Sequence, residues 1–315
     1  MRKSDPEILV ENIAEKLEKV TDPYRNPLLM TNRRERKLTI IILGTGMPVP
    51  DINRAGSAAA IIYKKNCILI DCGRWVSRQI ILAKIKFTQI KGLIITHLHQ
   101  DHLNGWPALF MDSVFCRRIF PWQIWGPVGT TECIDAIKKF NKIDIRDRKN
   151  ANMPTEGFET NVTELAGTGE HSWELEGIKV TCVPVDHRPD LPSFGLRFDT
   201  PEKSIVYSGD TTKSENLIKL GKKRPVDILV HEICLEDIAH FAIKSGAFLS
   251  STNPYAVTRY HTLIPQMIEI ANEIRPKKLV LTHIVPTIAS PKYLVKEIKK
   301  GYDGEVICAN DLDSF

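Results

Sequence analysis

The chain has 315 residues, of which 43% are hydrophobic and 26% charged, enough for one large α/β domain or two modest ones. Its formal net charge of +5 favours anionic partners such as phosphate, sulfate or carboxylate esters. The excess is too small to diagnose nucleic-acid binding, and an ordinary solvated basic surface accounts for it first. Seven cysteines, an odd number with no CxxC pair, exclude a disulfide framework and read as reduced thiols of a cytoplasmic protein. The first residues lack an apolar signal core, and no run reaches membrane-spanning length.

Residues 7–19 carry apolar residues at helical spacing, with Asp5 as cap and Pro6 at the first position. Residues 1–37 therefore read as a helical appendage, for packing or for a homo-oligomer, between which the sequence does not choose. From Leu38 to residue 315 short β-branched runs alternate with helical patterns. Strands are expected at 38–43, 58–63, 67–71, 92–96, 178–185, 194–198, 204–207, 226–230, 278–282 and 304–308. Helices are expected near 74–86, 129–141, 213–220, 262–274 and 291–299. Several strands open each half, which suits two sheets packed face to face with helices outside, an α/β sandwich. Residues 141–160 are polar and patternless and read as a long surface loop or small lid.

The chemistry concentrates in Thr96-His97-Leu98-His99-Gln100-Asp101-His102, directly after the strand ending at Ile95. A strand end is a rigid platform from which a loop turns several side chains inward. His97 and His99 can converge on one metal while Asp101 and His102 converge on a second. Imidazole and carboxylate suit Zn²⁺, with Mn²⁺ or Fe as alternatives. With nine His in 315 residues, such a cluster rarely arises by chance. His187, His231 and His283 also end apolar runs, His261 opens a helix, and Asp210 follows the run 204–207. One histidine at a strand end is usually structural; several beside a His/Asp cluster point to a metal centre. His171 reads as solvent-facing in a polar turn, and His240 either faces the site or packs.

Together, His97-Leu98-His99-Gln100-Asp101-His102, His187, Gly209-Asp210-Thr211 and His283 resemble the metallo-β-lactamase superfamily over about residues 38–310. The ribonuclease Z-like branch, with its arylsulfatase-type members, is the nearest likeness. Leu43-Gly44-Thr45-Gly46-Met47-Pro48 with Asn53-Arg54 resembles its opening loop. Phe194-Gly195-Leu196-Arg197, His231-Glu232 and His261-Thr262 resemble further motifs of that branch, and Asp311-Leu312-Asp313 resembles the ending of the arylsulfatase-type members. The resemblance implies an αββα sandwich with the site at one edge. His97, His99 and His187 would hold one metal, Asp101, His102 and His283 the other, and Asp210 would bridge them. The two ions would activate a water for ester hydrolysis. Asp101, His261 and Glu232 would be the catalytic residues, the latter two delivering a proton to the leaving oxygen. Asp71 would orient a ligand histidine.

The Gly/Pro-rich arm of the tRNA-processing enzymes is missing after Trp125-Gly126-Pro127, which argues against tRNA and for a small anionic ester. Residues 236–260, with Phe241, Phe248 and Tyr255, read either as an apolar cover over such a substrate or as a packed connector. Trp106 and Arg117-Arg118 are substrate-contact candidates beside an otherwise core-forming set of aromatics. The favoured substrate is a small phosphodiester, with a sulfate ester as the alternative. Outside hydrolysis, a redox di-iron member usually has Glu where this chain has His99, and a non-catalytic scaffold would have lost ligands. A dinucleotide site at Gly44-Thr45-Gly46 is rejected, because the third Gly is missing and Pro48 and Pro50 prevent a helix from opening there.

Overall fold

The computed structural model describes residues 37–151, 153–237 and 258–315. The helix expected at 7–19, and His240 with most of the segment 236–260, lie outside them.

Two sheets carry the fold, six-stranded and seven-stranded. In the first, β1 (Thr39–Gly44), β2 (Ala58–Tyr63) and β3 (Asn66–Ile70) run antiparallel in turn. Then β4 (Ile90–Ile94), β5 (Trp122–Pro127) and β6 (Thr160–Leu165) add in parallel. The second sheet repeats the scheme. There β7 (His171–Leu175), β8 (Ile178–Arg188), β9 (Leu191–Asp199) and β10 (Ser204–Tyr207) are antiparallel. They are followed by parallel β11 (Ile228–Cys234), β12 (Lys278–Val285) and β13 (Glu305–Cys308). Parallel neighbours need long crossovers, and helices supply them.

Side-chain alternation along the strands separates the layers. On β3, Ile68 and Ile70 face the opposite sheet while Cys67 and Leu69 face outward. On β10, Ile205 and Tyr207 face inward and Val206 outward. The first sheet's outer face is covered by α1 (Val76–Leu82) and α3 (Trp106–Phe115), through Val76, Ile80, Leu109 and Phe110. The second is covered by α6 (Glu215–Lys222), α7 (Ile264–Ile274) and α8 (Pro291–Ile298), through Leu217, Met267, Ile270 and Leu294. Each such fully buried aliphatic contributes about 1.5–3 kcal/mol. The layering is the expected αββα sandwich. The chain end returns to β1, where Ile40 and Phe315 exchange backbone hydrogen bonds of 3.1 and 2.9 Å and Leu312 donates to the Ile42 carbonyl. That segment covers an edge strand that would otherwise present free backbone groups. No helix among the described residues is long and apolar enough to cross a membrane.

Several expectations need correction. The segment 141–160, expected as a surface loop or small lid, opens with a helix: α4 (Thr130–Phe140) is followed at once by α5 (Lys142–Asn150). Helix α5 buries none of its residues, so it lacks the apolar stripe that announces a helix. An Arg148–Asp144 pair at 3.0 Å and the stacking of Arg148 over Phe115 hold it instead. Strands β5, β6 and β7 and helix α3 were not expected; β6 and β7 are polar and largely exposed, which hides the alternation. His171 lies half-buried on β7, not in a turn, and bonds the Ala166 carbonyl. Trp106 and Arg118 are fully buried, and their contacts lie in the core of the first sheet. The Arg118 guanidinium donates to the Ile90 and Pro121 carbonyls and stacks 3.9 Å from Trp122, which Trp106 meets edge-on. Of the aromatics after the His/Asp cluster, most of which were expected in the core, Phe115 is 49% exposed.

Candidate metal centre

Strands β3, β4, β8, β10, β11 and β12 end at the same edge of the sandwich. Asp71 follows β3, the loop 96–102 follows β4, and Asp210 follows β10. His187, Glu232 and His283 stand near the ends of β8, β11 and β12. Loops after parallel strands are the usual place for a site in α/β sheets, because the strands fix their start points rigidly. The helix α2 (Gln100–Leu103) winds Asp101 and His102 inward. Gly209 precedes Asp210 with φ +61°, and a Cβ there would come 2.5 Å from the Phe194 carbonyl, so only glycine allows this turn.

Two side-chain groups gather the expected ligands. His97 Nε2 lies 2.9 Å from His99 Nδ1, His187 Nε2 lies 3.2 Å from the same atom, and Asp210 Oδ2 lies 3.7 Å from His97 Nε2. In the second group His283 Nε2 is 3.2 Å and His102 Nε2 3.5 Å from Asp101 Oδ2. Asp210 reaches this group too, with Oδ1 3.4 Å from His102 Nε2 and Oδ2 3.3 Å from His283 Nε2. In each group one ligand-type atom per residue falls within 4.8 Å of all the others. All these side chains are buried except His99, which is half-buried.

The electrostatics suit cations. Burial, followed by the neighbouring His102 charge, pushes His97 well below its ordinary range, and burial takes His187 down to about 4. Both rings keep a free lone pair at neutral pH. Burial opposes ionisation of Asp210, but the facing His283, His102 and His97 outweigh it and hold the carboxyl well below its usual range. The buried His102 Nε2 makes no hydrogen bond of its own. Burial opposes the cationic forms of His102 and His283, but the carboxylates of Asp210 and Asp101 outweigh it and raise both rings, so the pocket stabilises positive charge between these groups. The donors are nitrogen and oxygen, the set that binds borderline divalent metals, and the residues fit two ions.

The outer nitrogens of three ligand-type rings are held. His102 Nδ1 is 2.8 Å from Asp71 Oδ2, and Asp71 also accepts from the Thr96 backbone N–H and hydroxyl. Thr96 Oγ1 lies 3.1 Å from His97 Nδ1, and His187 Nδ1 bonds the Tyr260 carbonyl at 2.9 Å. The supports from Thr96 and Tyr260 were not foreseen. A Thr before the His cluster was a visible signal, whereas a backbone carbonyl leaves none. His261 Nδ1 lies 2.9 Å from Glu232 Oε1, and the ring also falls in a third ligand-type group, with Asp210 and His283. Burial disfavours the His261 cation, but the Glu232 carboxylate and its hydrogen bond outweigh that and raise the ring to about 9. His231 is buried and joins neither group; its Nδ1 meets the Glu232 carbonyl at 2.8 Å.

Comparison with known proteins adds the family. The family model described as Anti-Pycsar protein Apyc1 matches residues 38–288. A ribonuclease Z of Mycobacterium sp. (strain KMS) is 32% identical over 266 residues, covering 80% of this chain and 86% of the relative. The chain belongs to the Apyc1 family, in the ribonuclease Z-like part of the metallo-β-lactamase superfamily. Human tRNase Z, short form, superposes with a TM-score of 0.63 at 25% identity, covering 88% of this chain and 98% of that one. The metallo-β-lactamase fold protein YhfI from Bacillus subtilis has a TM-score of 0.65 at 18% identity, over 89% and 99% of the two chains, and shows the shared fold. This ribonuclease Z-like protein is a dinuclear metal-dependent hydrolase acting on ester bonds. The Apyc1 description was not suggested by the ending Asp311-Leu312-Asp313, which had pointed to the arylsulfatase-type members.

Proposed function

We propose that this hydrolase cleaves a small phosphodiester. His97, His99 and His187 hold one zinc ion, Asp101, His102 and His283 hold the other, and Asp210 joins both. The observation that carries this reading is Asp210, whose two carboxylate oxygens reach both groups. When bound, two such ions lower the pKa of a water and offset charge on the oxygens of a tetrahedral anionic ester.

The chain's own residues do the rest. Asp71 and Thr96 orient the imidazoles of His102 and His97, so that their inner nitrogens stay aimed at the centre. His261 carries a proton at its Nε2 edge, held there by Glu232, and gives it to the departing oxygen. Burial of the surrounding carboxylates and rings excludes bulk water, which strengthens each of these contacts.

A compact substrate is supported by the sequence after β5, which forms the short helices α4 and α5 and lacks a Gly/Pro-rich stretch. Ribonuclease Z relatives carry RNA in their name, and a precursor tRNA is therefore the competitor to exclude. The sulfate ester draws no support from Asp311, because Thr45, Ala55 and Gln79 occupy both its oxygens. The free state of all seven cysteines supports a reducing, cytoplasmic setting.

Steady-state rates on bis-nitrophenyl phosphate, nitrophenyl sulfate, a nitrophenyl carboxylate ester and a precursor tRNA test the proposal. The phosphodiester should lead. A preference for the sulfate, the carboxylate ester or the tRNA would overturn it.

A further inference from the structure

The ligand-type histidines are not held alike. His97, His102 and His187 each have a partner on the outer ring nitrogen: Thr96, Asp71 and the Tyr260 carbonyl. His283 has none, for its Nδ1 is buried without a hydrogen-bond partner. Its ring direction therefore rests on the stacked rings of His102 and His261 and on its backbone, and that backbone is unusual. The register of β12 on β11 steps from Glu232–Thr282 to Ile233–Ile284, so His283 is the extra residue of a β-bulge. Its φ is +40°, in the left-handed region that a non-glycine residue occupies only when its surroundings enforce it. Bulges re-aim a side chain, and this one turns His283 towards Asp101 and Asp210.

The next residue shows what enforces it. Ile284 N–H donates to the Thr45 carbonyl at 3.1 Å, tying the bulge to the loop after β1. Thr45 is held in turn by Asp311. One carboxylate oxygen accepts the Thr45 backbone N–H at 2.9 Å and its hydroxyl at 2.7 Å. The other accepts Ala55 N–H at 2.7 Å and the Gln79 amide at 2.9 Å. Arg54 completes the clasp, donating to Thr45 Oγ1 at 2.6 Å and to the Ala309 carbonyl. A carboxylate with four donors is a rigid anchor, since it has almost no acceptor capacity left for water.

We propose that Asp311 is a positioning residue for His283, acting through Thr45, and thereby sets the affinity of the ion held by Asp101, His102 and His283. This rests on the ligand assignment above.

Zinc affinity of the metal-free full-length protein, measured by competition with a chromophoric chelator, tests it. H283A marks which of the two ions depends on that histidine. D311N is expected to weaken the same ion several-fold, less than the roughly 10–100-fold lost when a partner bonded directly to a ligand is removed, and to leave the other at wild-type affinity. T45V, which keeps the backbone bonds, should weaken that ion by less, and H283A/D311N should bind no worse than H283A. Y302F, which removes the distant Tyr302–Pro276 hydrogen bond, should change neither affinity and so reports general loosening. D311N with both affinities unchanged, or with both lowered alike, overturns the inference. If D311N does not fold, T45V decides: an unchanged affinity for the marked ion overturns it. An H283A protein that binds both ions normally overturns the ligand assignment, and the inference with it.

Discussion

Glu232 Oε1 sits 2.9 Å from His261 Nδ1 and accepts the Thr211 backbone N–H, also at 2.9 Å. One carboxylate oxygen thus ties the proposed proton donor to the residue that follows Asp210. His261→Ala should keep both metal ions and lose turnover by about 10²–10⁴-fold on esters with poor leaving groups. Nitrophenolate departs unaided, so its ester should be hydrolysed at nearly the normal rate. Loss of metal from this variant, measured by elemental analysis, would show that His261 is a ligand instead.

The same pair predicts a pH profile. His261 acts as an acid only while protonated, and its pKa is raised to about 9. The rate on a poor-leaving-group ester should therefore fall as pH rises through about 9. Glu232→Gln removes the charge that opposes the effect of burial, so the basic limb should move to lower pH. A limb in the same place in both proteins would sink the assignment of the donor.

Asp210 reaches the ligand-type atoms of both groups. Asp210→Ala should lose metal and activity together, with neither ion retained at normal affinity. Wild-type protein should hold close to two zinc ions per chain in the same elemental analysis, undialysed. Full occupancy in the variant would remove the bridging role.

Trp106 follows the His/Asp cluster closely but is fully buried against Trp122 and Phe110. Trp106→Ala should cost about 3–5 kcal/mol of stability through the cavity it leaves. Urea unfolding would register this, while KM of the folded fraction stays unchanged. A raised KM at unchanged stability would return Trp106 to the substrate.

The sequence by itself determined the chemistry and the layering. His97, His99, Asp101 and His102 are neighbours in the chain, so their spacing alone announces a metal centre, and short continuous β-branched apolar runs announce buried strands. Helix α5 escaped because a helix without an apolar face leaves no periodic trace. Trp106 and Arg118 were misread because a large side chain near a motif looks the same in sequence whether it turns towards the site or the core. Only the tertiary structure decided which residues support the ligands. Asp71 was expected to orient a ligand histidine, but not which one; His187 meets the Tyr260 carbonyl across 73 residues, and Asp311 meets Thr45 across 266. Such contacts are set by how two sheets and a returning chain end pack together, and no local pattern of residues specifies that packing.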